Sequence, residues 1–202
     1  KGDSEFSRRA LPALVRRDAA SLSPALMASA AVESVAESTT DSFVAPWFYF
    51  ALFGVAGALA YRAINTLDSM VGYHGKYEYL GKASAKLDDL VNFIPSRLAA
   101  LMIVAGSLLS GANARRAWEA QGRYHNAPES PNAGWTMSAM AGALGVALEK
   151  PGYYKLGESL NPLGASSIAQ ARRIMYAVAA QALLLTLLVL FVRYEISSLL
   201  TR

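Results

Sequence analysis

Uncharged runs and polar clusters alternate along this 202-residue chain, and the clusters sit at the ends of the runs rather than inside them. Residues 43–60 (FVAPWFYFALFGVAGALA) carry no charge over 18 positions, close to the ~20 apolar residues that an α-helix needs to cross a bilayer. Trp47 and Tyr49 suit an interfacial belt near the start of that run, and Pro46, Gly54 and Gly57 are available hinges. Residues 98–114 form a second uncharged run, and residues 174–192 a third, interrupted only by Gln181 and bracketed by Arg172, Arg173 and Arg193. A fourth apolar segment, 133–148, is dominated by Ala, Gly, Met and Ser, which permits close backbone approach. It is short for a span and suits a re-entrant or internally packed helix. The expected fold is all-α: a polytopic helical membrane protein with about four apolar helices plus interfacial amphipathic helices. Residues 1–202 then form a single membrane-embedded domain, with 1–42 amphipathic and interfacial and 43–202 a transmembrane bundle with polar loops.

The polar clusters carry the candidate chemistry. The first run empties into YRAINTLDSMVGY, residues 61–73, where Arg62, Asn65 and Ser69 share one helical face with Thr66 and Asp68 beside them. A polar face straight after a membrane-length run is expensive unless something uses it, the plain alternative being a solvated helix at the water interface. Upstream, Ser23-Pro24 is a favoured helix start. The helix it opens puts Glu33 and Glu37 one turn apart, with Asp41 next at the same spacing if the helix persists. Acids so placed repel one another, and solvent, basic partners or a divalent cation relieve the repulsion. Downstream, Lys86, Asp89 and Asn92 recur at helical spacing, Asp88 pairs with Asn92 at i+4, and Pro95 with Arg97 ends the segment. Pro128 and Pro131 stiffen a loop in which Asn132 is placed to cap the next helix. Gly81-Lys82 departs from the phosphate-loop spacing and is followed by Ala83, so no nucleotide fingerprint of that kind is present.

Composition narrows the classes. The chain is 53% hydrophobic and 17% charged, oilier than an average soluble domain. No cysteine is present, which excludes disulfides and thiolate metal sites, and two histidines are too few for a multi-histidine centre within one chain. The net charge of +4 is scattered, which suits anionic headgroups or phosphorylated substrates better than a nucleic-acid groove. Four spans would divide the Lys and Arg residues ten to nine between the two sides, so the positive-inside rule favours neither orientation. The basic segment 1–18, with Arg8, Arg9, Arg16 and Arg17, reads as an amphipathic helix near a membrane surface.

Four stretches, VESVAESTTDSFVAPWFYFAL, YRAINTLDSMVGY, ASAKLDDLVNFIPSRL and APESPNAGWTMSAMAGALGV, closely resemble the adenosylcobinamide-phosphate synthase (cobinamide synthase) family of cobalamin (vitamin B12) biosynthesis, integral membrane enzymes. Ser38 stands where that family usually has Asn, so no substrate contact is assigned to it. Family members usually begin further upstream with additional apolar segments, so the chain resembles the later part of such a protein. The resemblance implies an ATP-dependent amide ligase that joins a propionate carboxylate of the corrinoid adenosylcobyric acid to an amino alcohol phosphate. It implies ATP and Mg²⁺ as co-substrate and activator, a site on the cytosolic face of the cytoplasmic membrane, and a second copy or other membrane-bound enzymes of the pathway as candidate partners. Asp68, Asp88 and Asp89 become candidate catalytic groups, and Glu33, Glu37 and Asp41 candidate metal ligands. Arg62, Asn65, Thr66, Lys86, Asn92, Arg97, Ser130, Asn132 and Trp135 become candidates for binding substrate and phosphate, the indole as a plate for a flat macrocycle. Two other classes stay open: a membrane sensor or assembly protein of the same fold without the reaction, and a transporter. A straight helix between Asp41 and Arg62 would hold them roughly 30 Å apart at ~1.5 Å per residue. A single site using both clusters therefore requires that helix to break or turn back.

Overall fold

The computed structural model describes residues 22–71 and 78–200, together with Leu11. The rest of the basic segment 1–18 lies outside the described residues, as do His74 and Gly75; Leu11 itself is buried with Met27 and Ala30. Helix α1, Pro24–Thr39, starts where Ser23-Pro24 predicts, with the Ser23 hydroxyl accepting from the Leu26 amide at 3.3 Å. It does not stop at Thr39. A π-helical turn, Thr40–Val44, leads directly into α2, Ala45–Val71, so the expected boundary at 42/43 falls inside continuous helix. A π turn follows i→i+5 bonding and resets the phase of the side chains that come after it.

Among the described residues three stretches are long and apolar enough to cross a membrane: Pro24–Met70, Gly81–Leu109 and Ala165–Leu200. The first of them does not run straight. Gly54 takes φ 67° and ψ −154°, a conformation essentially restricted to glycine, and the chain turns back on itself there. The two arms of α2 lie against each other: the Tyr49 and Tyr61 rings stack at 5.4 Å, and a Cβ at Gly57 would stand 2.7 Å from the Tyr49 carbonyl oxygen. The membrane-length run over 43–60 is therefore a re-entrant helical hairpin rather than one straight helix. Its tip shows Phe53, Val55 and Leu59 to the surroundings, an apolar surface suited to lipid.

Helix α3, Glu78–Leu109, joins what the sequence reading divides at Pro95 and Arg97 into a polar segment and an apolar run. Proline inside a helix removes one amide donor and strands the carbonyl four residues back. Here that carbonyl, on Val91, accepts the Tyr49 hydroxyl at 2.8 Å, so the re-entrant hairpin satisfies the group that Pro95 leaves open. Helix α4, Ala114–Tyr124, is capped by Asn113, whose side chain accepts from the Arg116 amide at 2.9 Å.

Helix α5, Ala133–Leu144, ends four residues earlier than expected, at Gly145, and is the buried centre of the molecule rather than a fourth span. Met137, Ala139, Met140, Ala141 and Leu144 pack with Val32 and Ala36 of α1, Ala99 and Ile103 of α3, and Ala117 of α4. The expected turn at PGYYKLGE is the tip and returning strand of a hairpin: β1, Leu148–Lys150, pairs antiparallel with β2, Tyr154–Leu156. Pro151 and Gly152 (φ 80°) form its type II turn, closed by the Tyr153 amide on the Lys150 carbonyl at 3.0 Å. Helix α6, Ala165–Leu200, buries Ile174, Val178 and Ala182 against that core. Among the described residues the result is an all-helical membrane protein apart from one small β-hairpin, with three helical stretches long and apolar enough to cross a membrane and α5 as a fourth, internally packed apolar helix.

Candidate functional site

The base of the re-entrant hairpin brings the polar clusters together. Arg62 donates to the Asp41 backbone carbonyl at 3.0 Å and to the Asn65 side-chain oxygen at 3.3 Å, where a straight helix would separate residues 41 and 62 by roughly 30 Å at ~1.5 Å per residue. The expectation of a broken or re-entrant helix between them is met, with Gly54 as the hinge. Tyr61, 1% exposed, links three elements: its hydroxyl lies 3.3 Å from Asp41 Oδ1 on the π turn and 3.0 Å from Asn92 Oδ1 on α3. Asp88 then accepts from Asn65 at 3.2 Å and from Asn92 at 3.0 Å, one bond to each of its oxygens. The chain of contacts Arg62, Asn65, Asp88, Asn92, Tyr61, Asp41 closes on itself through the Arg62 bond to the Asp41 backbone. A network whose members each hold a partner keeps its carboxylates aimed.

Beside it stands a second knot. Asn132 occupies the N-cap position of α5 without capping it; the Ser130 hydroxyl takes that role, accepting from the amides of Asn132 and Ala133 at 3.3 and 3.4 Å. The Asn132 side chain turns instead to α3, donating to the Asp89 carbonyl at 2.8 Å and accepting from Ser96 and Arg97 at 3.2 and 3.0 Å. Ser130 also lies 3.3 Å from the Asp89 carboxylate. Arg97 stacks over the Phe93 ring at 3.6 Å and donates to the Phe93 carbonyl. Trp135 packs against the core, 4.1 Å from the His125 ring and 5.1 Å from the Arg97 guanidinium, so its indole supports this knot.

Between the two knots lies a cleft of about 240 Å³. Seven of the expected site residues line it: Glu37, Asp41, Asp68, Asp88, Asn92, Ser130 and Asn132. Arg62, Asn65, Asp89 and Arg97 hold those residues from behind, while Thr66 and Lys86 are exposed on α2 and α3 away from the lining. Glu33 is also away from it. Its carboxylate is buried at the β-hairpin, accepting from the Ser29 and Tyr154 hydroxyls at 2.7 and 2.8 Å. The three acids Glu33, Glu37 and Asp41 are thus divided: Glu37 and Asp41 line the cleft, while the Glu33 carboxylate is claimed by Ser29 and the β-hairpin. Among the described residues no three His, Cys, Asp or Glu side chains gather as a metal-holding group.

Sequence reasoning passed over four lining or linking residues. Ser96 follows Asp88 and Asn92 at i, i+4, i+8 on α3, Thr136 follows Asn132 by four on α5, and Tyr61 precedes Asn65 by four on α2, so helical spacing carried a signal for each. Thr40 carried none, since its placement depends on the π turn. Its hydroxyl is buried in the cleft wall with no hydrogen-bond partner among the described residues.

The fold and site define a helical membrane protein in which a re-entrant hairpin closes an acid-lined cleft. Sequence comparison places it further: the CobD/Cbib protein family matches residues 1–185, and the chain belongs to that family. It is 52% identical over 163 residues to the cobalamin biosynthesis protein CobD of Dehalococcoides mccartyi, covering 81% of this chain and 53% of that protein. It is 46% identical over 172 residues to a protein of Methanothermobacter thermautotrophicus named "Probable cobalamin biosynthesis protein CobD", covering 85% and 58%. A protein of the same name from Methanocaldococcus jannaschii is 46% identical over 157 residues, covering 77% and 51%. The chain spans about half the length of these relatives. No solved structure matches it.

Proposed function

We propose that this protein acts in cobalamin biosynthesis as an ATP-dependent amide ligase of the cytoplasmic membrane, joining a propionate carboxylate of adenosylcobyric acid to an amino alcohol phosphate. The observation that carries the reading is the turn at Gly54, which gathers residues from all four family-like stretches around one cleft. A carboxylate acylates an amine only after activation, here by transfer of a phosphoryl group from ATP. Amide formation then releases phosphate, and the attacking ammonium must first give up a proton. Asp88, which lines the cleft with each oxygen already hydrogen-bonded, and Asp68 on the facing wall are the groups placed to receive it.

Mg²⁺ fits as part of the nucleotide substrate rather than as a resident ion. The carboxylates are spread around the cleft instead of forming a cage, and Mg²⁺ bound with a nucleotide commonly takes one or two carboxylates plus phosphate oxygens. Glu37 and Asp41, which line the cleft, are the carboxylates that would hold the ion of such a complex. The cleft faces the cytosol in this reading, because ATP is supplied there.

Ligation is tested on the intact membrane protein in detergent, with adenosylcobyric acid, aminopropanol phosphate and MgATP. Product is expected, and Asp88→Asn is expected to lower its rate by roughly 10²-fold or more, the usual scale for losing a proton-transfer group. Absence of product from folded protein, or an Asp88→Asn enzyme as fast as the parent, overturns the reading.

A further inference from the structure

The uncharged residues 174–192 of α6 lie between Arg172 and Arg173 on one side and Arg193 on the other. At ~1.5 Å per residue that run is ~28 Å long, close to the ~30 Å hydrocarbon core. Arg193 therefore marks one headgroup plane, and the exposed Tyr194 beside it is the kind of aromatic residue that such a plane favours. The Arg193 side chain reaches the tip of the re-entrant hairpin, where Nη1 donates to the Ala51 carbonyl at 2.6 Å and lies 3.4 Å from that of Leu52. A guanidinium carries five N–H donors in a planar fork. Among the described residues Nε and Nη2 of the exposed Arg193 have no partner, so one edge of the fork is open to a ligand.

Deeper than that plane is an apolar pocket of about 180 Å³. Trp47 and Leu52 of α2, Leu98 and Met102 of α3, and Ala182 and Val189 of α6 line it. Ala182 and Val189 precede Arg193 along α6, which sets the pocket roughly 6 to 17 Å below the guanidinium at ~1.5 Å per residue. Among the described residues the lining holds one hydroxyl, on Thr186, and it already donates to the Trp47 carbonyl at 3.3 Å. Leu52 and Leu185, both in the lining, are 46% and 40% exposed, so the pocket opens sideways to the surroundings of the bundle.

We propose that Arg193 and this pocket together bind one phospholipid, its phosphodiester on the open edge of the guanidinium and an acyl chain in the pocket. Charge and depth both select that ligand. Arginine holds phosphate oxygens through paired N–H donors, and the apolar lining begins at the depth where an acyl chain runs down from the headgroup. Hydrocarbon without a phosphate would leave the guanidinium edge unmatched, and a soluble phosphate would leave the pocket unfilled. Bound there, the lipid packs the first arm of α2 against α6 and braces the turn at Gly54.

Trp47 in the pocket wall makes the test optical, because brominated acyl chains quench indole fluorescence on contact. Trp118→Phe removes the exposed indole, and Trp135 stays packed against the core. The intact membrane protein in detergent, carrying Trp118→Phe, is titrated with phosphatidylglycerol bearing dibromostearoyl chains and with diacylglycerol bearing the same chains. Phosphatidylglycerol is expected to reach half-quenching at a concentration at least tenfold lower. Arg193→Met is expected to abolish that difference and Arg193→Lys to keep part of it. Val189→Phe, which fills the pocket and leaves Arg193 in place, is expected to remove most of the quenching by either lipid. Equal quenching by the two lipids before Arg193 is changed would make the occupant bulk hydrocarbon and overturn the site, as would a preference that survives Arg193→Met. No quenching at all, or a Val189→Phe protein quenched as strongly as its parent, would show that no acyl chain enters the pocket. Displacement of the lipid by an equal concentration of glycerophosphoglycerol would make a soluble phosphodiester the ligand and overturn the phospholipid.

Discussion

Helices α2 and α6 are both built from uncharged, membrane-length runs, yet they do opposite things. Helix α6 runs uninterrupted for 36 residues, ~54 Å at ~1.5 Å per residue, longer than the ~30 Å hydrocarbon core. Helix α2 turns back at Gly54 after nine residues, so its two polar ends meet instead of standing on opposite faces of the bilayer. The difference lies in what each helix does with its backbone at mid-run. Helix α6 is unbroken, and the polar side chains in its apolar run find carbonyls: Gln181 donates to those of Met102 and Ala177 at 3.2 Å, and Thr186 to that of Trp47 at 3.3 Å. Helix α2 breaks, and the carbonyls freed at the tip need partners that lipid does not supply. Helix α6 supplies one: Arg193 donates to the Ala51 carbonyl at 2.6 Å and lies 3.4 Å from that of Leu52. The straight helix thus stabilises the bent one. Apolar length by itself does not decide whether a segment crosses.

That contrast can be broken at the hinge. Gly54→Val places a β-branched residue in a backbone region reserved for glycine, although a Cβ there meets no atom within 4 Å, so the cost is conformational. It should destabilise the turn by ~1–3 kcal/mol and drive the run towards a straight helix. Spin labels at residues 42 and 63 should then move apart by tens of ångströms, with ligation lost. Unchanged label distances would mean that packing, not the hinge, sets the turn.

Next in size is Arg193→Met. It leaves the tip carbonyls without their donor, and an unmade buried hydrogen bond costs about 1–3 kcal/mol. A lower thermal midpoint is expected, with the hairpin amides exchanging faster while those of α3 stay protected. Uniform loss of protection across both elements would show that Arg193 supports the whole bundle rather than the tip.

The smallest effect sharpens the link between hairpin and α3. Tyr49→Phe removes the donor to the carbonyl stranded by Pro95 and should cost about 1 kcal/mol, the net scale of one hydrogen bond. In a Pro95→Ala background, where the Val91 carbonyl regains a helical partner, the same substitution should cost measurably less. Equal costs in the two backgrounds would uncouple the tyrosine from the proline.

Much of this arrangement is legible in the amino-acid order. Ser23-Pro24 opens α1 as helix-start chemistry requires, and Asp88 and Asn92 pair one turn apart as their spacing predicts. Arg62, Asn65 and Ser69 share a face, with Arg62 bonded to the Asn65 side chain and Ser69 to its carbonyl. Seven expected residues line the cleft because polar groups cluster at the ends of apolar runs. Pro95 misleads, since a proline reads as a stop unless a distant hydroxyl is known to take up the carbonyl it strands. Glu33 misleads because i+4 spacing from Glu37 says nothing of Ser29 and Tyr154, the groups that claim its carboxylate.

The sequence by itself determined an all-helical membrane protein, its family, and the residues from which a site would be made. The helical class follows from local rules, namely hydrophobic period, capping and run length, which act within a turn or two of each residue, whereas the family and the site residues follow from the four stretches that resemble it. Only the tertiary structure decided that the run from 43 to 60 turns back and that α5 is a core helix. It alone decided that α1 runs on through a π turn into α2 and that the Glu33 carboxylate is claimed by a hairpin more than a hundred residues away in the chain. Each of these depends on partners remote in sequence: Arg193 for the tip carbonyls, Tyr49 for Val91, Glu33 for the hairpin. Pairings of that kind leave no period in the chain that makes them.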